Sequence, residues 1–271
     1  MTINAHNYAY LSTNIFITGE EMANYNRKEM ILQFMRSENR FVTVEQLCSR
    51  LYVSGATIRR DLTELEHSRL IRRTRGGALL VEGSASEDPL AFRENQNAVQ
   101  KQIIANIACD FIRDGMTLFL DSSTTAFTLA RNLDRFNNIK VITNGLKTSL
   151  LLSDYKNVSV MCTGGSLRED SKSLVGVSAI EFINRLNADI AFMSCRGFSF
   201  ENGASEASED EYYIKQQYIH NSKTKILLLD TSKIGQDYVC RIGGLSIFDH
   251  IITDSRDINN RCRDLLSVDN I

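Results

Sequence analysis

The chain of 271 residues is 43% hydrophobic with a formal net charge of −2, enough apolar content for a sizeable core in one large or two ordinary domains. Its six cysteines (Cys48, Cys109, Cys162, Cys195, Cys240, Cys262) stand singly with no C-x-x-C pair, which argues against a disulfide framework and against a zinc site. No apolar run reaches the roughly 18 residues of a membrane helix, and no basic-then-apolar leader opens the chain, so a cytoplasmic protein without membrane contact is expected.

Residues 1–21 are polar and without clear period. Two readings stand open for them: a disordered extension, or a stretch ahead of a true start at Met22. Residues 22–80 carry eleven basic against six acidic side chains, and the rest of the chain is acidic. A basic head on an acidic body is the charge pattern of a polyanion-binding module joined to a solvated sensor.

Three helices are expected in the head. Asn26 and Glu29 have capping-box spacing, with Tyr25 and Met30 placed to staple across it. Ile31, Phe34 and Met35 then form an apolar face. Thr43 and Gln46 repeat the box between Val42 and Leu47, and Ser54 caps a third helix between Val53 and Ile58. Ile58, Leu62 and Leu65 recur at helical spacing. Only Leu51 to Ser54 separate the second and third helices, a helix-turn-helix connection. The outward face of the third helix holds Ala56, Thr57, Arg59 and Arg60. Small residues in its first turn let the backbone approach DNA, and the arginines can fork onto guanine edges or phosphates. Between Leu70 and Leu80, two strand-like runs flank a Gly76-Gly77 turn, with Arg72, Arg73 and Arg75 making a basic wing. The expected contacts to double-stranded operator DNA are therefore Thr43, Ser54, Ala56, Thr57, Arg59, Arg60, Arg72, Arg73, Arg75, Gly76 and Gly77.

Ser84 to Pro89, which holds the single proline, reads as a linker within 81–96. A helix is expected from Asn97 to Arg113. Strand-like runs then alternate with helical ones: Thr117–Leu120, Lys140–Thr143, Val158–Cys162, Asp189–Ser194, Lys225–Leu229 and His250–Thr253, against Thr125–Asp134, Leu146–Leu152, Val177–Leu186, Glu209–Asn221 and Asp257–Leu266. Such alternation over 97–271 implies a mostly parallel sheet covered on both faces, whose ligands sit at the strands' carboxyl ends. Those ends carry Asp121-Ser122-Ser123-Thr124-Thr125, Thr143-Asn144-Gly145, Thr163-Gly164-Gly165-Ser166, Ser194-Cys195-Arg196-Gly197 and Asp230-Thr231-Ser232-Lys233. Hydroxyl, amide and cationic groups converge there, which suits a polyhydroxy anion such as a sugar phosphate.

In the head, the string Thr57-Ile58-Arg59-Arg60-Asp61-Leu62, followed by Leu65-Glu66 and by Arg75-Gly76-Gly77-Ala78, resembles the deoxyribose-operon-repressor (DeoR) family of bacterial transcription regulators. In the body, LDSSTT, VITN, TGG, Gly176, NADIAF, DTSK and IITD resemble the same family. The resemblance implies a winged helix-turn-helix followed by an α/β sensor similar in fold to the ribose-5-phosphate isomerases. It implies a phosphorylated sugar as effector, held by Asp121, Ser122, Ser123, Thr124 and Thr125, with Thr143, Asn144, Gly164, Gly165, Gly176, Lys215 and Lys233 around them. The chain departs from the family pattern at Ser68-Arg69, at Ser123 and Ser194 where glycine is usual, and at Arg196, which adds a fixed charge. A Cβ at Ser123 is expected to narrow the loop or disfavour a left-handed backbone, and the effector to differ from common ones, for instance by a second anionic group.

The expected mechanism is a homo-oligomer, dimer or tetramer, that represses a carbohydrate-metabolism operon until the metabolite binds. No cofactor, metal or catalytic residue is expected. The rival reading is a sugar-phosphate isomerase-like enzyme using Asp121, Glu206 or Asp230 as acid–base groups, with no histidine in the strand-end motifs. A dinucleotide oxidoreductase fails for want of G-x-G-x-x-G after a strand.

Overall fold

The computed structural model describes residues 27–28, 30–32, 34–35, 41–67, 70–80, 90–258 and 260–262, and the chain divides into two compact units, Met1–Glu82 and Gly83–Ile271. The 1–21 extension, the Asn26/Glu29 cap and Ser68-Arg69 lie outside the described residues.

In the first unit, helical residues between 27 and 35 precede β1 (Phe41–Thr43), α1 (Val44–Leu51), α2 (Gly55–His67), β2 (Ile71–Thr74) and β3 (Gly77–Leu80). Thr43 completes the capping box: its Oγ1 accepts from Gln46 N at 3.1 Å and its own N–H donates to Gln46 Oε1 at 2.8 Å. Tyr52 ends α1 in the left-handed region, φ 53°, and turns the chain sharply toward α2. Ser54 Oγ then accepts from Thr57 N at 3.3 Å. Leu47, Ile58, Leu62 and Leu65 are buried together with Ile31, Leu32 and Met35, each such side chain contributing about 1.5–3 kcal/mol of transfer free energy.

The wing differs from expectation in two ways. It has a third strand, because β1 pairs antiparallel with β3 to give the order β1-β3-β2. Its turn is Arg75-Gly76 rather than Gly76-Gly77: Gly76 takes φ +87°, while Gly77 lies in β3, where a Cβ would stand 2.3 Å from the Val42 carbonyl oxygen. One glycine turns the chain and the other lets two strands approach.

The second unit opens with α3 (Leu90–Asn95) and α4 (Ala98–Cys109). The second half of the 81–96 stretch is thus helical, and the Leu90 N–H donates to the Asp170 carbonyl at 3.2 Å. There follow β4 (Thr117–Leu120), α5 (Thr124–Ala130), β5 (Ile139–Thr143), α6 (Leu146–Ser153), β6 (Val158–Cys162), β7 (Ser166–Arg168), β8 (Ser173–Val175), α7 (Val177–Ile183), β9 (Ala188–Met193), β10 (Gly197–Ser199), β11 (Gly203–Glu206), α8 (Glu209–His220), β12 (Ser222–Leu229), β13 (Cys240–Gly243) and β14 (His250–Thr253). Residues 256–258 and 260–262 begin the expected last helix, whose remainder lies outside the described residues. The helix expected to reach Asp134 stops at Ala130, and Leu133–Arg135 forms a 3-10 turn instead.

Six strands form one parallel sheet in the order β14-β12-β9-β4-β5-β6. Alternate residues face opposite ways. Leu118, Leu120, Val141, Phe192, Ile226 and Leu228 pack with Ile104, Ala108, Ala126 and Leu129 on one face, and Phe119, Ile142, Met193, Leu227 and Leu229 with Ala179, Ile183, Ile214 and Tyr218 on the other. Double burial explains the near-continuous apolar runs in the strands. The chain winds from β4 out to β6 and then returns to β9 beside β4, so the β4/β9 carboxyl ends form the topological switch point, where ligands of open α/β sheets bind. Two antiparallel additions escape the sequence reading: the β7–β8 hairpin and the sheet β10-β11-β13.

Candidate nucleic-acid interface and effector site

On α2, Ala56, Arg59 and Arg60 are exposed and Thr57 is half-buried, opposite the buried Ile58, Leu62 and Leu65. The small first turn leaves the helix N-terminus open, and Arg59 and Arg60 project from the exposed face. Arg72, Arg73, Arg75 and Gly76 are exposed on the hairpin, whereas Gly77 is buried within the sheet. Thr43 and Ser54 spend their hydroxyls on the caps of α1 and α2. Arg73 is tied back to α2: its Nη1 donates to Thr63 Oγ1 at 2.7 Å and its backbone N–H to Glu66 Oε1 at 2.8 Å. Within the TIRRDL string, Asp61 is buried and faces inward. Its carboxylate takes a two-pronged bond from Arg27, Nε to Oδ2 at 2.5 Å and Nη2 to Oδ1 at 2.9 Å, so it orients the helix rather than touching a ligand.

In the body, Asp121 is fully buried at the end of β4. Its Oδ1 accepts from the Ser123 N–H at 3.0 Å and its Oδ2 from the Ser194 N–H at 2.8 Å, and Lys215 pairs with Oδ2 from α8. Burial alone would raise the carboxyl's pKa, but the Lys215 charge and these hydrogen bonds hold it below the usual carboxylate range. Lys215 is equally buried; burial would lower its pKa, yet Asp121, Glu206 and Glu211 together raise it, and Glu206 Oε1 lies 3.4 Å away.

Ser123 behaves differently from the expectation. Its φ is −69°, an ordinary extended value, and its Oγ caps α5 by accepting from Ala126 N at 3.1 Å, so its Cβ demands no left-handed backbone. Ser194, the other departure, donates through Oγ to the Leu228 carbonyl at 2.7 Å and accepts there from Lys233 Nζ at 3.1 Å. Lys233 also donates to the Cys195 carbonyl at 2.5 Å. These bonds bring the ends of β9 and β12 together.

Thr124 and Thr125 are buried in the first turn of α5, and Thr125 Oγ1 has no hydrogen-bond partner. Thr143 Oγ1 accepts from Gly145 N at 3.0 Å, and the Asn144 N–H donates to Tyr218 Oη at 3.1 Å. Gly164 and Gly165 take φ +70° and +107°, and a Cβ on Gly165 would stand 2.4 Å from the Val175 carbonyl oxygen. Gly176 takes φ +90° before α7. The Arg196 guanidinium lies 5.8 Å over the Tyr238 ring.

Sequence reasoning missed a second carboxylate. Glu211, buried on α8, accepts from Ser122 Oγ at 3.2 Å, Asn144 Nδ2 at 3.4 Å, Arg168 Nη1 at 3.4 Å and Ser173 Oγ. It thereby ties the β4 and β5 loops to the β7–β8 hairpin. The available signal was its place four residues before Lys215, on the same helix face. Lys101 was missed too, although it stands in the buried stripe Lys101-Ile104-Ala105-Ala108 of α4. Burial first, and Lys233 second, push its pKa down to about 7. Asn97 lies one turn earlier; its Nδ2 donates to Asp230 Oδ1 at 3.2 Å and Ser232 Oγ at 2.9 Å.

Known proteins align with both units. Residues 27–83 match the DeoR-like helix-turn-helix domain and residues 96–255 the DeoR C terminal sensor domain. The HTH-type transcriptional repressor GlcR of Bacillus subtilis is 35% identical over 224 residues, covering 83% of this chain and 86% of that protein. The HTH-type transcriptional regulator GolR of Listeria innocua is 33% identical, covering 86% and 91%. The glycerol-3-phosphate regulon repressor of Escherichia coli is 30% identical, covering 86% and 92%. Solved structures are more distant: ribose 5-phosphate isomerase A of Methanocaldococcus jannaschii superposes with a TM-score of 0.39 at 16% identity over 51% of this chain and 55% of that one. The chain belongs to the DeoR family of HTH-type transcriptional regulators.

Proposed function

We propose that the chain is a cytoplasmic repressor of a carbohydrate-metabolism operon, released from its operator by a phosphorylated sugar or a related metabolite. Residues 22–80 read DNA and 97–271 sense the effector. The observation that carries this reading is the strand-end arrangement at the switch point. Asp121 takes N–H bonds from Ser123 and Ser194 and so shapes the loop, while Lys233 stands partly exposed beside them. The carboxylate keeps the loop open, hydroxyls and N–H groups are left for a phosphate, and Lys233 supplies the charge. Exposed Arg59 and Arg60 read the major groove, and Arg72, Arg75 and Gly76 follow the backbone. Thr43 and Ser54 act on DNA through the helix ends they cap. The functional unit is a homo-oligomer, since paired heads match paired half-sites.

The enzyme reading is less well supported. Asp121 is held by Lys215, the first member of a buried ion network, and is no free base. Relatives of similar length bear regulator names. The test is selection of an operator from random DNA, followed by release of that complex with a panel of sugar phosphates. Isomerase turnover without DNA binding would reverse the assignment.

A further inference from the structure

Lys101 is buried on α4, yet among the described residues no carboxylate pairs with it. Its Nζ donates instead to two backbone carbonyls, Arg93 O near the end of α3 and Gln96 O at 2.6 Å in the turn that follows. A lysine on helix-terminal carbonyls is a C-terminal clamp. The joint behind that clamp is Asn97, a non-glycine residue at φ 55° whose side chain is fixed to Asp230 and Ser232. At its other end α3 is held by the Leu90–Asp170 backbone bond, and the Lys147–Glu94 ion pair lies at the same end as the clamp. Lys101 thus lies one turn along α4 from Asn97, whose side chain bonds Asp230 and Ser232 at the Thr231–Lys233 turn, and its ammonium is within electrostatic reach of Lys233. In chain order, α3 is the first described element after the head unit ends at Glu82.

We infer that Lys101 couples the anion site to α3: an anion bound beside Lys233 draws the Lys101 ammonium away from the Arg93 and Gln96 carbonyls and unclamps the helix. Lys101, Lys233 and Arg93 lie within electrostatic reach of one another with two carboxylates, Asp230 and Glu94, the latter paired with Lys147, and this balance favours an arriving dianion of the phosphate class. The coupled element has two arrangements, clamped by carbonyl contacts and released by anion contacts, and the anion's differential affinity sets the balance between them. This rests on the strand-end anion site proposed above and adds the route by which its occupancy leaves the pocket. A clamp with a purely structural role would hold α3 equally in the presence and absence of anion.

The test is amide hydrogen exchange on the full chain, with inorganic phosphate as the probe. In wild type, phosphate should slow exchange across 121–125 and speed exchange across 90–97 by about threefold or more. Lys101→Gln keeps a donor for the carbonyls but carries no charge. At phosphate concentrations that protect 121–125 in this variant, its 90–97 exchange should not change. Protection of 121–125 in wild type with unchanged exchange at 90–97 overturns the coupling and leaves the anion site standing. Loosening of 90–97 in Lys101→Gln as in wild type also overturns it. Failure of phosphate to protect 121–125 at any concentration in wild type removes the anion site and the coupling with it.

Discussion

The Ser194 N–H donates to the Asp121 carboxylate at 2.8 Å, joining the ends of two strands that are neighbours in the sheet but 73 residues apart in the chain. This bond spans the point where strand order reverses. It makes Asp121 the point where these strand ends meet, bonded to the Ser123 and Ser194 N–H groups and paired with Lys215 from α8.

Asp121→Asn should be strongly destabilising. It leaves Lys215 buried with its main partner gone, and breaking such a pair costs about 3–5 kcal/mol. Urea unfolding of the two proteins measures the difference. The pH dependence follows from opposite shifts. Asp121 lies below its unfolded value of about 3.9, so its contribution is present above that pH and is lost as pH falls through the folded value. Lys215 is raised, so its contribution is complete below about pH 10.4 and is lost only at higher pH. A plateau of stability between these limits is expected, and the fall at its acid end that Asp121 causes should be missing in Asp121→Asn.

Arg59→Ala and Arg60→Ala should each weaken operator binding by about 1–3 kcal/mol without shifting the melting temperature, since both side chains are exposed. Arg75→Ala should instead weaken binding to all sequences alike and lower the salt slope by about one. Fluorescence anisotropy against operator and scrambled DNA at several salt concentrations separates the two behaviours.

Asp61→Asn tests a residue in the same string that points the other way. Losing the charge-assisted bonds from Arg27 should cost the head about 1–3 kcal/mol. The early transition of a calorimetric melt should move down. An unchanged melt would show that the pair does not hold α2.

Lys101 should make anion binding pH-dependent. Its pKa of about 7 is set by burial and by Lys233, with Arg93 also lowering it and Asp230 and Glu94 raising it. A bound anion favours the charged form, so above pH 7 binding takes up a proton. Sulfate does not titrate in this range. Its affinity should fall as pH rises from about 7, by up to about tenfold per unit, and this dependence should vanish in Lys101→Gln. Isothermal titration at several pH values measures it.

The sequence displayed the two-part plan because its signals are local. The Thr43–Gln46 box, the Ser54 cap and the apolar strand runs each arise within a few residues, and the structure has them where the periodicity put them. Strand-end loops were legible for the same reason. Long-range partnerships were not. Glu211 collects donors from Ser122, Asn144, Arg168 and Ser173, which only the folded sheet brings together. The short β1 and the β7–β8 hairpin were missed because strands of three residues carry too little pattern. Ser123 misled because a residue in place of a usual glycine suggests strain, whereas its backbone is extended.

The most direct test of the account is the effector titration of a labelled operator complex with wild type and Lys233→Ala. Lys233 bonds Ser194 and Cys195 at the strand ends and lies outside the head unit. Wild type should be released by at least one phosphorylated sugar. Lys233→Ala should bind the operator equally well in its absence but need about tenfold or more effector for release, the loss of roughly 1.4 kcal/mol of binding. An unchanged release midpoint in Lys233→Ala would contradict the strand-end site.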